Sequence, residues 1–284
     1  MKLFSTAFLT ILLSISMFAK VSRVERNALV KLFESTNGKQ WNVKWDLSTS
    51  VATWYGVKVE NDKVISVNLQ NNNLVGEIPA EILNLKNLRE LHLHKNKISG
   101  AIPSNIGQLK ELKVLNLSFN SLSGVIPASV CELTNLKNLE LYMNLLSGVL
   151  PMEIGALKQL EIFSVFNNEL GGQIPNSLYE ITTLKTLLLN SNKLIGTLST
   201  DVKKLRALEY LSLFDNKMNG PVPLELERLR NLKEMNISYN KFEGFVSRDL
   251  AILDTFNMTM VNDEGLAVLL AVKVDRNTAI ASED

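Results

Sequence analysis

Two histidines and one cysteine make up the chain's stock of imidazole and thiol groups. His92 and His94 stand two residues apart, with Glu90 two residues before them. On an extended strand that spacing puts all three side chains on one face, the arrangement of a weak metal site. Two solvated histidines are the commoner outcome, and the flanking segments bring no evident carboxylate to them, so no metal is expected. The same pair would make binding pH-sensitive near neutrality. Cys131 lies in an apolar stretch with no evident base beside it, and a buried free thiol is expected. There is no nucleophile-elbow sequence, no HExxH pair and no phosphate-cradling loop. The carboxylates are scattered in a way that solubility explains. The chain is therefore expected to be no enzyme and to need no cofactor. What remains is the chemistry of recognition, carried by aromatic and amide side chains at regular spacing.

That regularity dictates the architecture. Asn72, Asn96, Asn120, Asn144, Asn168, Asn192, Asn216 and Asn240 follow one another at intervals of 24 residues. Gly76, Gly100, Gly124, Gly148, Gly172, Gly196, Gly220 and Gly244 keep the same step. An unbroken period of this length predicts one solenoid turn per unit, each stacked on the next. Stacked turns make a long surface and seldom an active-site pocket.

One unit, residues 112–135, reads LKVLNLSFNSLSGVIPASVCELTN. Leu112, Leu115 and Leu117 are predicted to point inward. Val114, Asn116 and Ser118 alternate with them and point outward, so Val114 to Ser118 reads as a short strand with one wet face. Repetition makes the sheet parallel. The terminal Asn starts a bend and forms a structural ladder by bonding backbone groups the bend leaves unpaired. Gly accepts a backbone conformation that side chains disfavour. Ile-Pro pairs follow, as at Ile78-Pro79, Ile102-Pro103, Ile126-Pro127 and Ile174-Pro175, with Leu150-Pro151 and Val222-Pro223 as variants. Ser199 and Ser247 stand where the sixth and eighth units lack the Pro. The return stretch is too short for a long helix, and irregular or 3₁₀ turns are expected.

The unit LxxLxLxxNxLxGxIPxxIGxLxx resembles the leucine-rich repeat, in the 24-residue form of plant receptor ectodomains and polygalacturonase-inhibiting proteins; similar repeats occur in secreted proteins of bacteria and protists. The resemblance covers roughly residues 64–255. It implies an α/β solenoid, a right-handed superhelix with a parallel sheet on the concave face and 3₁₀ or irregular turns on the convex side. The plant relatives clamp both ends with cysteine pairs. Here the segment TWYGVKVENDKVISVNL resembles the family's N-terminal cap, but Lys58 and Val59 stand where a cysteine is expected. That departure favours a microbial secreted member.

Residues 1–19 read as a secretion signal, with Lys2 before an apolar run from Leu3 to Phe18. A retained anchor is the alternative, but the run is short for a spanning helix. No membrane span is expected after cleavage, and the protein is expected to be secreted or at the cell surface, a periplasm included. Removing Lys2 from 30 basic residues leaves 29 against 29 acidic ones, which argues against nucleic acid and anionic membrane as partners. Residues 20–63 read as an N-terminal cap. Ser22 and Glu25 form a capping box, Val24, Ala28, Leu29, Leu32 and Phe33 a helical stripe, and Trp41, Trp45, Trp54 and Tyr55 a plug over the first repeat or, alternatively, a sugar platform. Residues 64–255 are the eight repeats, and 256–284 a degenerate last repeat, cap and tail. There, Met258 and Met260 suggest a final strand and Leu266 to Val272 a cover. The sequons at Asn116, Asn236 and Asn257 read as chance matches, because the first two occupy outward strand positions.

Function is expected where the outward positions vary. The third outward position holds Gln70, His94, Ser118, Tyr142, Phe166, Asn190, Phe214 and Ser238 in turn. The resemblance implies a small polar residue there, so Tyr142, Phe166 and Phe214 depart from pattern. Phe119, Met143 and Tyr239 follow in a column often aromatic in the family and weigh less. With Leu188, Asn190 and Tyr210, the rings predict a concave patch about 20 Å long at a strand spacing of about 4.8 Å. Its rim includes Glu90, His94, Asn116, Asn138, Glu140, Ser164, Asn167, Ser212 and Asp215. An exposed aromatic patch with a polar rim suits a protein or peptide ligand, and the resemblance extends this to inhibition of a secreted hydrolase. Polysaccharide is the other partner considered, through a structural or adhesive role. Rings that merely pack on one another are the structural alternative. Ice binding is weaker, because the outward columns are irregular.

Overall fold

A computed structural model describes residues 21–254, 258–262 and 264–273. The proposed signal, residues 1–19, and the sequon at Asn257 lie outside them. Nine short strands build the principal sheet: β1 (Val57–Glu60), β2 (Lys63–Asn68), β3 (Glu90–His92), β4 (Val114–Asn116), β5 (Asn138–Glu140), β6 (Ile162–Ser164), β7 (Thr186–Leu188), β8 (Tyr210–Ser212) and β9 (Glu234–Asn236). β1 pairs antiparallel with β2, and every later neighbour is parallel and in register. The strand expected over Val114 to Ser118 closes at Asn116. Beyond it, single backbone bonds continue the ladder, as when Phe119 donates its N–H to the Tyr142 carbonyl at 2.9 Å.

A second parallel sheet was not expected. Six strands, Ser123–Val125, Leu145–Val149, Glu169–Gly172, Lys193–Gly196, Lys217–Pro221 and Lys241–Glu243, run in chain order along the flank. They are the segments around the periodic glycines, which take positive φ, 81° at Gly148 and at Gly196. The sequence there lacks the apolar alternation that marks a half-buried strand, so stacking of identical backbone shapes makes this sheet. Short 3₁₀ turns complete the convex side, as expected.

The core is one continuous column of Leu, Ile, Val and Phe from the N-terminal helix to Val246 and beyond. The ladder asparagines bond in a fixed pattern. Asn168 Oδ1 accepts the Leu146 N–H at 2.9 Å, while its Nδ2 donates to the carbonyls of Leu141 at 3.1 Å and Val165 at 2.9 Å. One amide thus ties two successive turns. Asn72 bonds both backbone groups of Val43 in the cap instead, at 2.6 Å and 3.1 Å.

On the convex side one position alternates in size, from Leu83 to Gly107, Cys131, Gly155 and Tyr179. Cys131 and Tyr179 are buried there. A methyl on Gly155 would collide with the Ser177 carbonyl oxygen of the next turn. The small residues let neighbouring turns close up around the large ones, so Cys131 is a packing residue; burial pushes its thiol up to about 11. Gly155→Ala is expected to lower unfolding stability by about 1–3 kcal/mol, the usual cost of overpacking. An unchanged denaturation midpoint would show that this turn moves freely.

Helix α1 (Arg23–Ser35) is capped by Ser22, whose Oγ accepts the Glu25 N–H at 3.2 Å. The expected stripe is corrected at its first residue: Val24 is 58% exposed, and Glu25 takes the buried place. Glu25 is held inside because its carboxylate accepts from Ser22 Oγ at 3.0 Å and from the Val64 N–H at 3.4 Å. Phe33, Trp41, Trp45 and Trp54 form a ring chain with centroids 5.1, 4.9 and 4.8 Å apart. Each indole N–H is committed to a backbone carbonyl, that of Thr36, Tyr55 or Asp46 respectively. All three indoles are buried, so they present no sugar platform; Tyr55 is exposed and stands outside the plug.

At the far end Ser247 caps a short helix, α2 (Arg248–Leu253), and Asp254 follows. Its buried carboxylate accepts from the Ile237 N–H at 2.7 Å and Ser238 Oγ at 2.8 Å. The Thr259 carbonyl then takes the Tyr239 N–H, as a further repeat would. The strand Thr259–Val261 next pairs antiparallel with Ala267–Leu269, and that reversal ends the stack. The apolar cover expected from Leu266 to Val272 is corrected: Leu266, Val268 and Leu269 are exposed and Leu270 is buried.

Candidate binding face

Pairing of the strands sets the outward side chains in columns. Ser66, Glu90, Val114, Asn138, Ile162, Thr186, Tyr210 and Glu234 form the first; Asn68, His92, Asn116, Glu140, Ser164, Leu188, Ser212 and Asn236 form the second. The third begins where the strands stop and carries the predicted rings.

Tyr142 and Phe166 stack at 4.4 Å with planes 12° apart. Phe119 meets the Tyr142 edge at 5.3 Å, and Lys95 Nζ lies 5.8 Å from the Phe119 ring. Three successive turns thus carry one continuous aromatic run. Asn190 interrupts it. Phe214 then pairs with Tyr239 at 5.1 Å. The single patch predicted from Tyr142 to Phe214 is therefore two aromatic islands. Between and beside them, Thr186, Leu188, Tyr210, Ser212, Glu234 and Asn236 help line an open cavity of about 290 Å³. Tyr210 is 39% exposed at the edge of the sheet, with Lys233 Nζ 5.8 Å from its ring.

Phe119 and Tyr239, given little weight in the sequence, complete both islands. They belong to the column just before each ladder Asn, where Asn71, Lys95, Phe119, Met143, Asn167, Ser191, Asp215 and Tyr239 all adopt φ between 51° and 58°. Left-handed backbone is unusual for residues this large. It swings their side chains beside the third column. The 24-residue spacing was the available signal, but their types differ too much to announce the conformation.

The polar groups beneath the rings are less open than alternation suggested. Asn116, Ser118 and Ser164 are buried. Asn116 Oδ1 accepts from Ser118 Oγ at 2.7 Å and from the Ser118 N–H at 3.1 Å. The Asn116 sequon is thus turned inward on its own serine. Ser164 Oγ and His94 Nδ1 are buried with no hydrogen-bond partner among the described residues. Glu140 lies between Asn116 and Ser164 in the second column. Burial holds its carboxyl above the ordinary 4.5, partly offset by a hydrogen bond from Asn116. A raised folded value means that Glu140 favours folding below 4.5 and loses that contribution as pH rises through the raised value. Glu140→Gln is accordingly expected to melt higher than the wild type at pH 7.5 and equally at pH 4. Equal melting at both pH values would mean that Glu140 is as well solvated as in the unfolded chain.

His92 and His94 share a face, with rings 6.2 Å apart, and His92 Nε2 lies 3.9 Å from Glu90 Oε2. Burial lowers both imidazoles below the ordinary 6.5. Burial thus moves the charging of both imidazoles to lower pH than that of a solvated histidine. Among the described residues no three His, Cys, Asp or Glu side chains converge to hold a metal ion. No described helix is long and apolar enough to cross a membrane.

Residues 113–256 match the family described as leucine-rich repeat region, and residues 63–85 and 87–109 match single leucine-rich repeats. The chain belongs to the leucine-rich repeat family. No curated protein matches it. Among solved structures, this leucine-rich repeat protein is similar to a plant peptide hormone receptor, RGFR1, in complex with RGF2. Identity is 33%, over 65% of this chain and 30% of the receptor chain, with a TM-score of 0.63. The Arabidopsis receptor kinase HAESA, in complex with the peptide hormone IDA and the co-receptor SERK1, is 26% identical over 79% of this chain and 47% of its own, with a TM-score of 0.53. The chain thus spans less than half the length of either receptor structure. A plant ice-binding protein aligns over 92% of this chain and 100% of its own at 23% identity and a TM-score of 0.59, a likeness of fold alone.

Proposed function

We propose that this leucine-rich repeat protein binds an extended peptide or protein segment along the concave face. The observation that carries the reading is the stacked Tyr142–Phe166 pair, extended by Phe119, above the half-buried Glu140. Rigid rings supply contact area at little entropic cost, and a part-desolvated carboxylate beside them favours a ligand that brings a donor or a positive charge. Leu188, Asn190 and Tyr210 continue the track to the Phe214–Tyr239 island, and His94 lies toward its other end. The peptide-hormone complexes of RGFR1 and HAESA support this class of ligand.

The role is binding, without catalysis. Residues 1–19 direct export to the medium, the cell surface or a periplasm; the proposed division after them is a cap at 20–63, eight 24-residue repeats at 64–255, and a degenerate last repeat, cap and tail at 256–284. The proposal of a microbial origin rests on Lys58 and Val59, which stand where the N-terminal cap of the plant relatives carries a cysteine. Inhibition of a secreted hydrolase is the narrower form of the proposal, resting on the resemblance of the repeats to polygalacturonase-inhibiting proteins.

A displayed random-peptide library, selected on the mature protein with a glycan array in parallel, tests the reading. Peptides that enrich on the wild type and fail on a Tyr142→Ala/Phe166→Ala variant are expected. Glycan binding lost in that variant, with no peptide enrichment, would replace the reading by a polysaccharide-binding surface protein.

A further inference from the structure

On the convex side three lysines each reach an acceptor 22 residues later, in the next turn. Lys86 Nζ donates to Gln108 Oε1 at 2.8 Å, Lys110 Nζ to Glu132 Oε2 at 2.7 Å, and Lys158 Nζ to the Glu180 carbonyl at 3.1 Å. The same step from Arg206 arrives at Arg228, a cation in place of an acceptor, and both line one pocket. Arg230 stands one repeat beyond Arg206, in the same column.

These arginines border an open pocket of about 1100 Å³, lined by Thr182, Lys203, Lys204, Arg206, Glu227, Arg228, Arg230 and Asn231. Lys204 is held by Glu180 at 2.7 Å and Asp201 at 3.0 Å. Among the described residues, the ion pairs engage none of Lys203, Arg206, Arg228 and Arg230. Glu227 is the single acidic group in the lining. Like charges gathered in adjacent turns oppose folding and favour an anion that separates them.

We propose that this pocket binds an acidic polysaccharide, one bearing carboxylate or sulfate groups along its chain. Guanidinium forks match both groups in bidentate fashion. Thr182 and Asn231 offer hydroxyl and amide partners for sugar hydroxyls, and Asn231 is oriented by its Nδ2 bond to the Arg206 carbonyl at 2.8 Å. The volume exceeds what one small anion needs. No lining residue is aromatic, so the pocket lacks the stacking platform that single-stranded nucleic acid uses. Nor is any lining residue a large apolar one that would insert into a bilayer. The site is independent of the peptide reading, since it lies on the opposite side of the repeats.

The test measures affinity for heparin, alginate and dextran by titration calorimetry at two salt concentrations. Wild type is expected to bind heparin, alginate or both, more weakly at high salt, and to ignore dextran. Arg206→Ala/Arg228→Ala/Arg230→Ala is expected to lose at least roughly tenfold in affinity, from three exposed charge-assisted contacts. Glu227→Gln is expected to tighten binding, a change of opposite sign that misfolding would not produce. Tyr142→Ala/Phe166→Ala is expected to leave it unchanged. Equal binding of dextran, no binding of either polyanion, or arginine-dependent binding only to anionic lipid vesicles or to DNA would each overturn the proposal.

Discussion

Asn168→Ala is expected to destabilise the protein by about 3–6 kcal/mol in urea unfolding. The alanine leaves the Leu146 N–H and the carbonyls of Leu141 and Val165 buried without the amide that joins them. Each buried backbone group stranded in this way costs about 1–3 kcal/mol. The position is central, so the preceding turn and its own both lose a partner in the middle of the stack. In a stack of nearest-neighbour contacts such a break divides the cooperative unit, and a broadened or two-step transition is expected with the fall in midpoint. A loss below about 1 kcal/mol would mean that water replaces the amide and that the ladder is not what joins the turns.

For any peptide selected on the wild type, Tyr142→Ala/Phe166→Ala is expected to weaken binding by about a thousandfold or more, because central aromatic anchors contribute at least about 2 kcal/mol each. The same variant loses the stacked pair at 4.4 Å. That contact contributes about 0.5–1.5 kcal/mol beyond area burial, so a small fall in melting temperature is expected as well. The ratio of the two effects distinguishes the readings. A large loss of stability with intact binding would assign the rings to holding the sheet together. Phe119→Ala is expected to lie between, since its ring meets the pair through an edge at 5.3 Å.

Much of the fold was legible because the period is a property of sequence alone. The strand alternation at Leu115 and Leu117, the bend at each Asn and the positive φ at each periodic Gly all recur at one interval. The second sheet was not legible, because its segments, such as Ser123–Val125 and Lys193–Gly196, carry no alternation of their own. Neither was the left-handed column, since Phe119, Met143 and Ser191 share a conformation but no chemistry.

The site divides in the same way. By itself, the sequence determined which side chains share a column, because identical turns must stack in register, and so it placed Tyr142 beside Phe166. Only the tertiary structure decided how those columns meet. It turned Asn116 inward onto Ser118, brought Phe119 and Tyr239 into the aromatic islands, and moved Glu25 inside while leaving Val24 in solvent. It also gathered Lys203, Arg206, Arg228 and Arg230 into one pocket on a chain whose total charge is near zero. The reason is that a column is fixed by backbone repetition along one direction. Contacts between columns depend on the twist, turn size and local φ of each repeat, which the packed stack sets collectively.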